Sequence, residues 1–435
     1  PEYFETGSTL FGSKGLAILR GGRGVRRHGA QLLFGPQLNH GHYEGLSWTF
    51  FDAGSEWSRD PGYFNCHYRF SWTSRSVSHQ QMTVNGEDID VGGGGGFLEA
   101  WKSGGPVQFV KASQPNAYPG ITRFERLIAQ VDAPSGDLAY WLDIGIVQGG
   151  KFRDDSFHTV MRDAEYNIKF TPTGKFALGG DMAKGMHFTD DLRLSGYQKE
   201  DFYWQLPGFG YGLLLSPATC RTDAAVRGIY RNPVAAELAP LKREIVVDFA
   251  AEPEVEYIDT YQMPTAKLPA VRYLLRRGTA PAGTVFAKLV RFQGSPVEKM
   301  DTVAAEGLNR AYLVRLAGGA ADLWLTGAMR ASAPGYPEVT ADGKVTVVRF
   351  DAAKQPVEII SSGATKVICG GRDLLLGSGD AVGSIKAVEA RAFQVEFSRP
   401  PVATAGPLVV RGSGLPSTWF AEKISDRRIE LADLR

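Results

Sequence analysis

The stretch Ile121–Val131 reads ITRFERLIAQV and the stretch Ala139–Val147 reads AYWLDIGIV, with Pro134-Ser135-Gly136-Asp137 between them. Both stretches are rich in apolar and aromatic residues, and a period of two residues dominates, which is typical of β-strands. Pro, Ser, Gly and Asp in succession favour a turn. The sequence therefore predicts two strands with a turn between them.

The same pattern extends in both directions along the chain. Further strands are predicted at Gly15–Arg20, Leu46–Phe51, Met82–Val84, Val107–Val110, Gly210–Ser216, Arg243–Phe249, Val271–Arg276 and Thr284–Phe292. Shorter strands are predicted at Lys344–Phe350, Val357–Ile360, Ala364–Ile368, Arg372–Leu376 and Ala392–Phe397. The charged segment Trp419–Arg435 is predicted to be a short helix or a tail.

These strands predict an all-β fold whose C-terminal part is a small all-β domain of about a hundred residues. A break in composition around Met300–Pro337 separates a large part, predicted at 9–325, from the small domain, predicted at 326–435. No repeat of constant period is present, which disfavours propellers and solenoids.

The composition excludes several classes of protein. Among the 435 residues, 43% are hydrophobic and 22% are charged, which are globular values. Lys and Arg number 48 and Asp and Glu 47, so the formal charge is +1 and a nucleic-acid partner is not expected. The three cysteines, Cys66, Cys220 and Cys369, are predicted to be free thiols. No stretch approaches 18 consecutive apolar residues, so no membrane span is expected.

Four of the seven histidines fall close together in the sequence: His40, His42, His67 and His79, with Asp60 among them. On a strand, His40 and His42 would line one surface, because alternate side chains face the same way. Two imidazoles and a carboxylate suit zinc, so His42, Asp60 and His79 are candidate ligands. Spacing alone also allows the interpretation that His42 and His79 are rim residues bonded to turn backbones. His67 is interpreted first as structural, and His28, His158 and His187 as surface or core residues.

The pieces around these histidines form an ordered motif. They are Gly35, His40-Gly41-His42, Leu46–Phe51, Asp60-Pro61-Gly62, Tyr68-Arg69-Phe70 and Ser74–Val84. In order and approximate spacing this motif resembles the central region of the heparinase II/III-like polysaccharide lyases. A weaker similarity continues through Arg126–Gly136 and Tyr273–Phe292. The resemblance covers most of the chain, and its specific part is the run 33–84.

The resemblance implies a large two-layer β-sandwich (a super-sandwich), followed by a smaller C-terminal β-sandwich domain and preceded by a linker at residues 1–8. It also implies an enzyme that cleaves uronic-acid polysaccharides by β-elimination. It implies a structural zinc ion on His42, Asp60 and His79, and a catalytic role for His40. The family would also supply a helical α/α toroid with a proton-donating Tyr, as a domain or a separate chain. This chain starts where the linker to such a toroid would lie, so we expect it to be the C-terminal part of a larger lyase.

The chain departs from the family pattern at two places near the motif. Glu44 stands where the family often has Asp, and the longer acid is expected to shift a bond behind the metal ligands. The His79-Gln80-Gln81-Met82-Thr83-Val84 stretch is longer than its family counterpart, which puts the loop geometry in question.

Five residues near the motif are candidates for lining a sugar cleft, since aromatic rings stack on sugars and Arg binds carboxylates. They are Asn39, Tyr43, Tyr63, Tyr68 and Arg69. Two alternatives remain open, a non-catalytic carbohydrate-binding or scaffold module and a glycoside hydrolase. An anionic uronic-acid polysaccharide is the expected partner, with a homo-oligomer left open. Because such polymers are extracellular, a periplasmic or secreted location is inferred.

Overall fold

The computed structural model describes residues 7–36, 41–52, 55–58, 60–62, 72–90, 95–160, 163–172, 209–231, 244–262, 270–376, 383–389, 392–397, 419–425 and 428–433. The strands of the first 295 residues are β1 Thr9–Phe11, β2 Leu16–Gly21, β3 His28–Leu33, β4 Ser47–Asp52, β5 Ser55–Ser58, β6 Met82–Val84, β7 Phe97–Lys102, β8 Val107–Ser113, β9 Arg123–Asp132, β10 Leu138–Gln148, β11 Arg153–His158, β12 Asp163–Tyr166, β13 Thr171–Pro172, β14 Leu214–Arg221, β15 Val226–Arg231, β16 Ile245–Phe249, β17 Val255–Gln262, β18 Arg272–Gly278 and β19 Thr284–Phe292.

The remaining strands are β20 Val297–Glu306, β21 Asn309–Leu316, β22 Ala321–Leu325, β23 Met329–Ala331, β24 Val339–Ala341, β25 Val345–Phe350, β26 Pro356–Ser362, β27 Lys366–Cys369, β28 Arg372–Leu376, β29 Gly383–Glu389, β30 Ala392–Phe397, β31 Trp419–Ser425 and β32 Arg428–Asp433. Short 3₁₀ helices span Gly12–Lys14, Gly24–Arg26, Ser76–Ser78, Phe209–Leu213 and Ala317–Gly319.

The all-β fold class is confirmed. Within the described ranges the structure contains strands and short 3₁₀ helices but no α-helix. The hairpin that anchors the prediction is present: β9 and β10 pair antiparallel from Asp132–Leu138 to Arg123–Gln148. Nearly every residue of both strands is buried, as expected for the centre of a sheet covered on both faces.

The chain divides into two compact units. The first comprises residues 1–98 and 104–295 and contains three antiparallel sheets. One sheet has the order β1-β2-β3-β4-β5, the second β13-β14-β17-β18-β11-β6, and the third runs β12-β15-β16-β19-β10-β9-β8.

The first two sheets pack against the same face of the third. Trp141 on β10 contacts Phe50 of β4 with ring centroids 5.1 Å apart. Phe249 on β16 meets Phe157 of β11 edge to face at 5.9 Å. Side chains on this shared face are thereby removed from water, and the same face carries the buried charges described below.

The second unit comprises residues 99–103 and 296–435. It contains a nine-stranded sheet with the order β20-β21-β22-β25-β26-β29-β30-β32-β31 and a four-stranded sheet with the order β23-β24-β27-β28. A core of mostly small and branched apolar residues, among them Leu323, Val339 and Val367, lies between these sheets. The predicted domain bounds, 1–8, 9–325 and 326–435, stay a prediction.

Two strand predictions are wrong. Gly210–Ser216 was expected to be one strand, but residues 209–213 form a 3₁₀ helix and β14 begins at Leu214. Gly210 lies within this turn, where an added Cβ would come within 2.9 Å of the Arg75 side chain, and the buried Tyr211 hydroxyl donates to Asp154 at 2.7 Å. Trp419–Arg435 was expected to be a helix or tail but contributes β31 and β32; in β32, Ile429 and Leu431 alternate with Arg428 and Glu430 at the period of a strand.

The cysteines and the membrane prediction can be compared with the structure in part. Cys220 is a half-buried free thiol and Cys369 a buried one, while Cys66 lies outside the described residues. None of the helices that the structure describes is long and apolar enough to cross a bilayer.

Candidate metal centre

Three loop segments meet at the start of β4. The loop that carries His42 and Glu44 leads into β4. His42 therefore lies on a loop, and not on the strand considered in the sequence analysis. Because β5 runs antiparallel to β4, the chain leaving Ser58 returns toward that start and places Asp60 there. The third segment contains His79 and Gln80. The Trp48 N–H of β4 donates to the Gln80 carbonyl at 3.3 Å, so His79 lies next to the start of β4.

The three predicted ligands converge on one small triangle. His42 Nδ1 lies 3.0 Å from Asp60 Oδ2 and 3.0 Å from His79 Nε2, and His79 Nε2 lies 3.1 Å from Asp60 Oδ2. A tetrahedral ion with bonds of about 2.0–2.1 Å sets its ligand atoms roughly 3.3 Å apart. The triangle is therefore close to the face of a zinc coordination tetrahedron.

Backbone groups aim these ligand atoms. The Nδ1–H of His79 donates to the Arg75 carbonyl at 2.8 Å, so the neutral ring carries its lone pair on Nε2, inside the triangle. Asp60 Oδ1 accepts the Gly62 N–H at 2.6 Å, which leaves Oδ2 for the triangle. Pro61 and Gly62 impose the turn that makes this bond possible. The donor set and its orientation fit a divalent metal.

Glu44 is a fourth member of the group. Its Oε2 lies 3.8 Å from His79 Nε2, and the four ligand atoms all lie within 4.8 Å of one another. The sequence analysis predicted that Glu44 contacts the metal ligands without being one of them. Its position two residues after His42 was the sequence feature that could have identified it as a member of the group. We call His42, Glu44, Asp60 and His79 the metal cluster.

Opposite charges in the metal cluster displace its pKa values. Burial raises the pKa of Glu44, and the Asp60 charge adds to this, against the opposing effect of the histidines. Burial alone would raise the pKa of Asp60, but His79 and His42 outweigh it and hold that pKa well below its usual range. Burial would lower the pKa of His79, but Glu44 and Asp60 outweigh it and raise the pKa to about 9. Without a metal, protons supply the positive charge that these carboxylates require.

Gln81 joins two of the converging segments. Its Oε1 accepts the Gly45 N–H at 2.9 Å and its Nε2 donates to the Tyr43 carbonyl at 2.9 Å. The side chain is fully buried. One amide therefore fixes the backbone on both sides of Glu44.

Arg75 and Asp88 support the His79 turn. Asp88 accepts from the Arg75 guanidinium at 2.8 Å and from the Ser76 N–H at 2.8 Å. Ser76 begins the 3₁₀ turn 76–78 that ends at His79. The carboxylate therefore holds the start of the turn whose Arg75 carbonyl aims the imidazole.

A second group of charges lies beneath the cluster, fully buried between sheets. We call Arg126, Asp143, Asp155, Arg276 and Lys288 the core ion network. Lys288 Nζ lies 2.7 Å from carboxylate oxygens of both Asp143 and Asp155, and Arg276 donates to Asp155 at 2.7 Å. Burial alone would raise the pKa of Asp155, but Lys288 and the two arginines lower it to about 2.

Arg126 connects the core ion network to the metal cluster. It donates to both oxygens of Asp143, at 2.7 and 2.5 Å, and to the carbonyls of Leu46 and Gln80, at 2.9 and 2.8 Å. Leu46 is held at φ +56°, an uncommon conformation for a side-chain-bearing residue. The guanidinium thus joins the segment of His42 to the segment of His79 from the core side.

The other predicted site residues fall into two groups. Tyr43 is half-buried, with the Arg75 guanidinium 5.5 Å from its ring centroid. Those outside the described residues are His40, Asn39, Tyr63, Tyr68 and Arg69, together with His67 and His187. The metal-ligand, catalytic and substrate-binding roles all stay predictions.

Two further histidines are buried, consistent with the core role allowed for them. His28 lies between the Arg26 carbonyl at 2.9 Å and Asp132 Oδ1 at 2.7 Å. His158 stacks on Tyr273 with centroids 4.4 Å apart.

Comparison with known proteins gives the site a context. No protein-family model matches the chain. It is 23% identical over 314 residues to an alginate lyase of Stenotrophomonas maltophilia (strain K279a), a match that covers 63% of this chain and 41% of that protein. The relationship to polysaccharide lyases that the motif predicted is thereby confirmed.

Solved structures of similar proteins include a heparinase III, at 11% identity and a TM-score of 0.46 over 80% of this chain and 42% of that one. A mutant of the heparan sulfate lyase HepC from Pedobacter heparinus matches at 10% identity and a TM-score of 0.45, over 72% of this chain and 41% of that one. The chain spans about two fifths of the length of the relatives it matches.

Proposed function

We propose that this chain is the β-sandwich part of a polysaccharide lyase that cleaves a uronic-acid polymer by β-elimination. One observation carries the proposal. In a chain similar to an alginate lyase, the ligand atoms of His42, Asp60 and His79 lie 3.0–3.1 Å from one another, and His42 follows His40 by two residues. A chance set of rim residues would not require His79 and Asp60 to be turned toward His42 by separate backbone groups, the Arg75 carbonyl and the Gly62 N–H.

Zinc is the metal that we propose for the cluster. Two imidazole nitrogens with carboxylate oxygens suit zinc, whereas calcium and magnesium prefer sites made of oxygen alone. When bound, zinc supplies a positive charge and a fixed coordination geometry. His42, Asp60 and His79 would hold it, and their three loops would be tied together at the base of the segment that carries His40.

Elimination across C4–C5 of a uronate makes three demands. The carboxylate charge must be offset so that the C5 proton becomes acidic, a base must remove that proton, and an acid must protonate the departing O4. We assign His40 to the carboxylate or to the C5 proton, since imidazole titrates near neutral pH. A Tyr from a helical toroid outside this chain would complete the proton transfers.

The remaining candidates would bind the polymer. Tyr43, Tyr63 and Tyr68 would stack on sugar rings, Arg69 would bind a carboxylate, and Asn39 would orient the sugar or His40. The similarity to an alginate lyase makes alginate the first polymer to test. A periplasmic or secreted location follows from a polymeric substrate and belongs to the same proposal.

The activity test uses the full-length protein with its helical part. Alginate and other uronates are incubated with it, and ultraviolet absorbance reports the unsaturated uronate that elimination leaves at the new non-reducing end. New reducing ends without that absorbance would identify a hydrolase, and binding without either would identify a carbohydrate-binding module. Either outcome would overturn the proposal.

The role of His40 is tested by His40→Ala in the same protein, with His187→Ala as the matched control outside the motif. We expect His40→Ala to abolish elimination while zinc content and melting temperature stay unchanged, because His40 is not a metal ligand in the proposal. A loss of stability like that of a ligand variant would make His40 structural instead.

A further inference from the structure

Glu44, the fourth member of the metal cluster, lies close to the triangle formed by His42, Asp60 and His79. Glu44 Oε2 lies 3.8 Å from His79 Nε2, about 0.5 Å beyond the edge of a zinc tetrahedron. The four ligand atoms all lie within 4.8 Å of one another, so the other edges to Glu44 exceed a zinc tetrahedron by about 1.5 Å at most. Glu has three side-chain torsions, so rotation of the side chain alone can bring its oxygen to the fourth position. In the absence of a metal, repulsion between the Glu44 and Asp60 carboxylates opposes that rotation.

The backbone on both sides of Glu44 is fixed by hydrogen bonds from buried side chains. Gln81 bonds the Tyr43 carbonyl on one side and the Gly45 N–H on the other, both at 2.9 Å. The Ser76 hydroxyl donates to the same Tyr43 carbonyl at 2.6 Å. Because one buried amide bonds the residues on both sides of Glu44, the position of the Glu44 backbone relative to the triangle is fixed.

We propose that Glu44 is the fourth zinc ligand and that Gln81 is the residue that positions it. The proposal rests on the zinc centre proposed above and goes further: the chain itself supplies all four ligands, and no position is left for water or substrate. Two neutral imidazoles and two carboxylates balance the charge of Zn²⁺, so the closed centre is neutral.

A closed centre has a definite role. A zinc ion with four protein ligands is typical of structural sites, whereas catalytic sites keep one position open. The metal would then fix the three loops, and the proton transfers would belong to side chains such as His40.

The test replaces zinc by cobalt(II) in the full chain and follows its visible absorption while azide is added. We expect a tetrahedral cobalt spectrum in the unmodified protein that azide does not change. In Glu44→Gln, cobalt should bind roughly 10- to 100-fold more weakly and azide should shift the spectrum, since the fourth position is then open. Gln81→Ala should change both readouts in the same direction by less.

Two controls keep the outcomes separate. Glu87→Gln removes an exposed carboxylate from the neighbouring loop and should leave both readouts unchanged. Glu44→Asp keeps the charge on a shorter side chain and should give intermediate affinity, which guards against misfolding of the Gln variant. An azide-sensitive spectrum in the unmodified protein would overturn the role of Glu44 and leave the zinc centre intact. Failure to bind cobalt or zinc at all would overturn the zinc centre itself.

Discussion

The core ion network and the metal cluster each gather two carboxylates, but they balance them differently. In the network, Asp143 and Asp155 face three fixed cations, and all five residues are fully buried. In the cluster, Glu44 and Asp60 face two histidines, which are positive only when protonated. The network is complete with what the chain supplies, whereas the cluster must obtain its positive charge from protons or a metal.

The difference appears in the pKa values. Lys288, Arg276 and Arg126 lower the pKa of Asp155 to about 2, so that carboxylate stays charged at every ordinary pH. In the cluster the balancing falls to His79, whose pKa is raised to about 9 by Glu44 and Asp60 after burial has opposed it. The network thus keeps its charges at neutral pH without help from solvent, whereas the charge of the cluster depends on pH and on whether a metal is bound.

The two groups are nevertheless connected through one residue. Arg126 holds Asp143 with one part of its guanidinium and the carbonyls of Leu46 and Gln80 with another. The network thereby supports the loops of the cluster. We expect substitutions in the network to weaken metal binding by the cluster more than substitutions in the cluster weaken the network.

The largest expected effect comes from breaking the network. Asp155→Asn removes one of its two negative charges and leaves Lys288 and Arg276 without full compensation, which should cost about 3–5 kcal/mol of unfolding free energy. Urea unfolding of the folded variant measures the loss. Asp301→Asn, which breaks a partly exposed pair with Arg315, should cost about 1 kcal/mol or less. Equal losses in the two variants would mean that the network contributes no more than a surface pair.

The next effect comes from removing the metal. Chelation should lower the unfolding free energy by about 3 kcal/mol relative to protein in zinc at roughly 100 times the dissociation constant, and added zinc should restore it. His42→Ala should lack both the bound zinc and this shift, while the network stays intact. Calorimetry and metal analysis measure the two quantities. Unchanged metal content in His42→Ala would contradict the ligand assignment.

A pH series separates the two groups further. Because the folded pKa of His79 is raised from 6.5 to about 9, the metal-free protein gains stability that is fully present below pH 6.5 and is lost as pH rises to 9. The shift corresponds to about 3 kcal/mol at most. The zinc-bound protein, whose His79 is neutral, should not show this loss, so the stabilisation by zinc should grow between pH 6.5 and 9.

The same protonation makes zinc binding release a proton at pH 7.5. Titration calorimetry in buffers of different ionisation enthalpy measures that release, and a heat independent of the buffer would contradict a protonated His79. Asp155 gives the opposite pattern: its depressed pKa contributes stability above pH 3.8 that is lost as pH falls toward 2.

Sequence reasoning reached the cluster more readily than the network for a physical reason. The bounds of β6 and β19 follow from local pattern and match the prediction, and His42, Asp60 and His79 lie in one short run of motif. Asp155 and Arg276 are 121 residues apart, and a period of two predicts the face of each strand but not which strands face each other. Glu44 was visible as an acid near the motif, but its approach to His79 depends on the Gln81 bonds, which no local pattern encodes.

The smallest effect that we predict tests how His79 is aimed. Asp88→Asn weakens the bonds to Arg75 and to the Ser76 N–H without touching a ligand. Since those bonds hold the turn that presents the Arg75 carbonyl to His79 Nδ1, zinc affinity should fall about tenfold, or about 1.4 kcal/mol. The metal-free protein should also lose stability, because the Arg75–Asp88 pair is almost fully buried, so zinc affinity is compared at a temperature where both Asp88→Asn and its control variant are folded.

Glu87→Gln, on the same loop and exposed, is the control for removing a nearby negative charge and should leave zinc affinity unchanged. Competition with a chromophoric chelator measures both affinities. If the two variants lower zinc affinity equally, Asp88 acts through its charge at long range, and the turn does not orient the His79 imidazole. If only Asp88→Asn does so, the support of the cluster extends to the backbone behind its ligands, as it does at Arg126 on the core side.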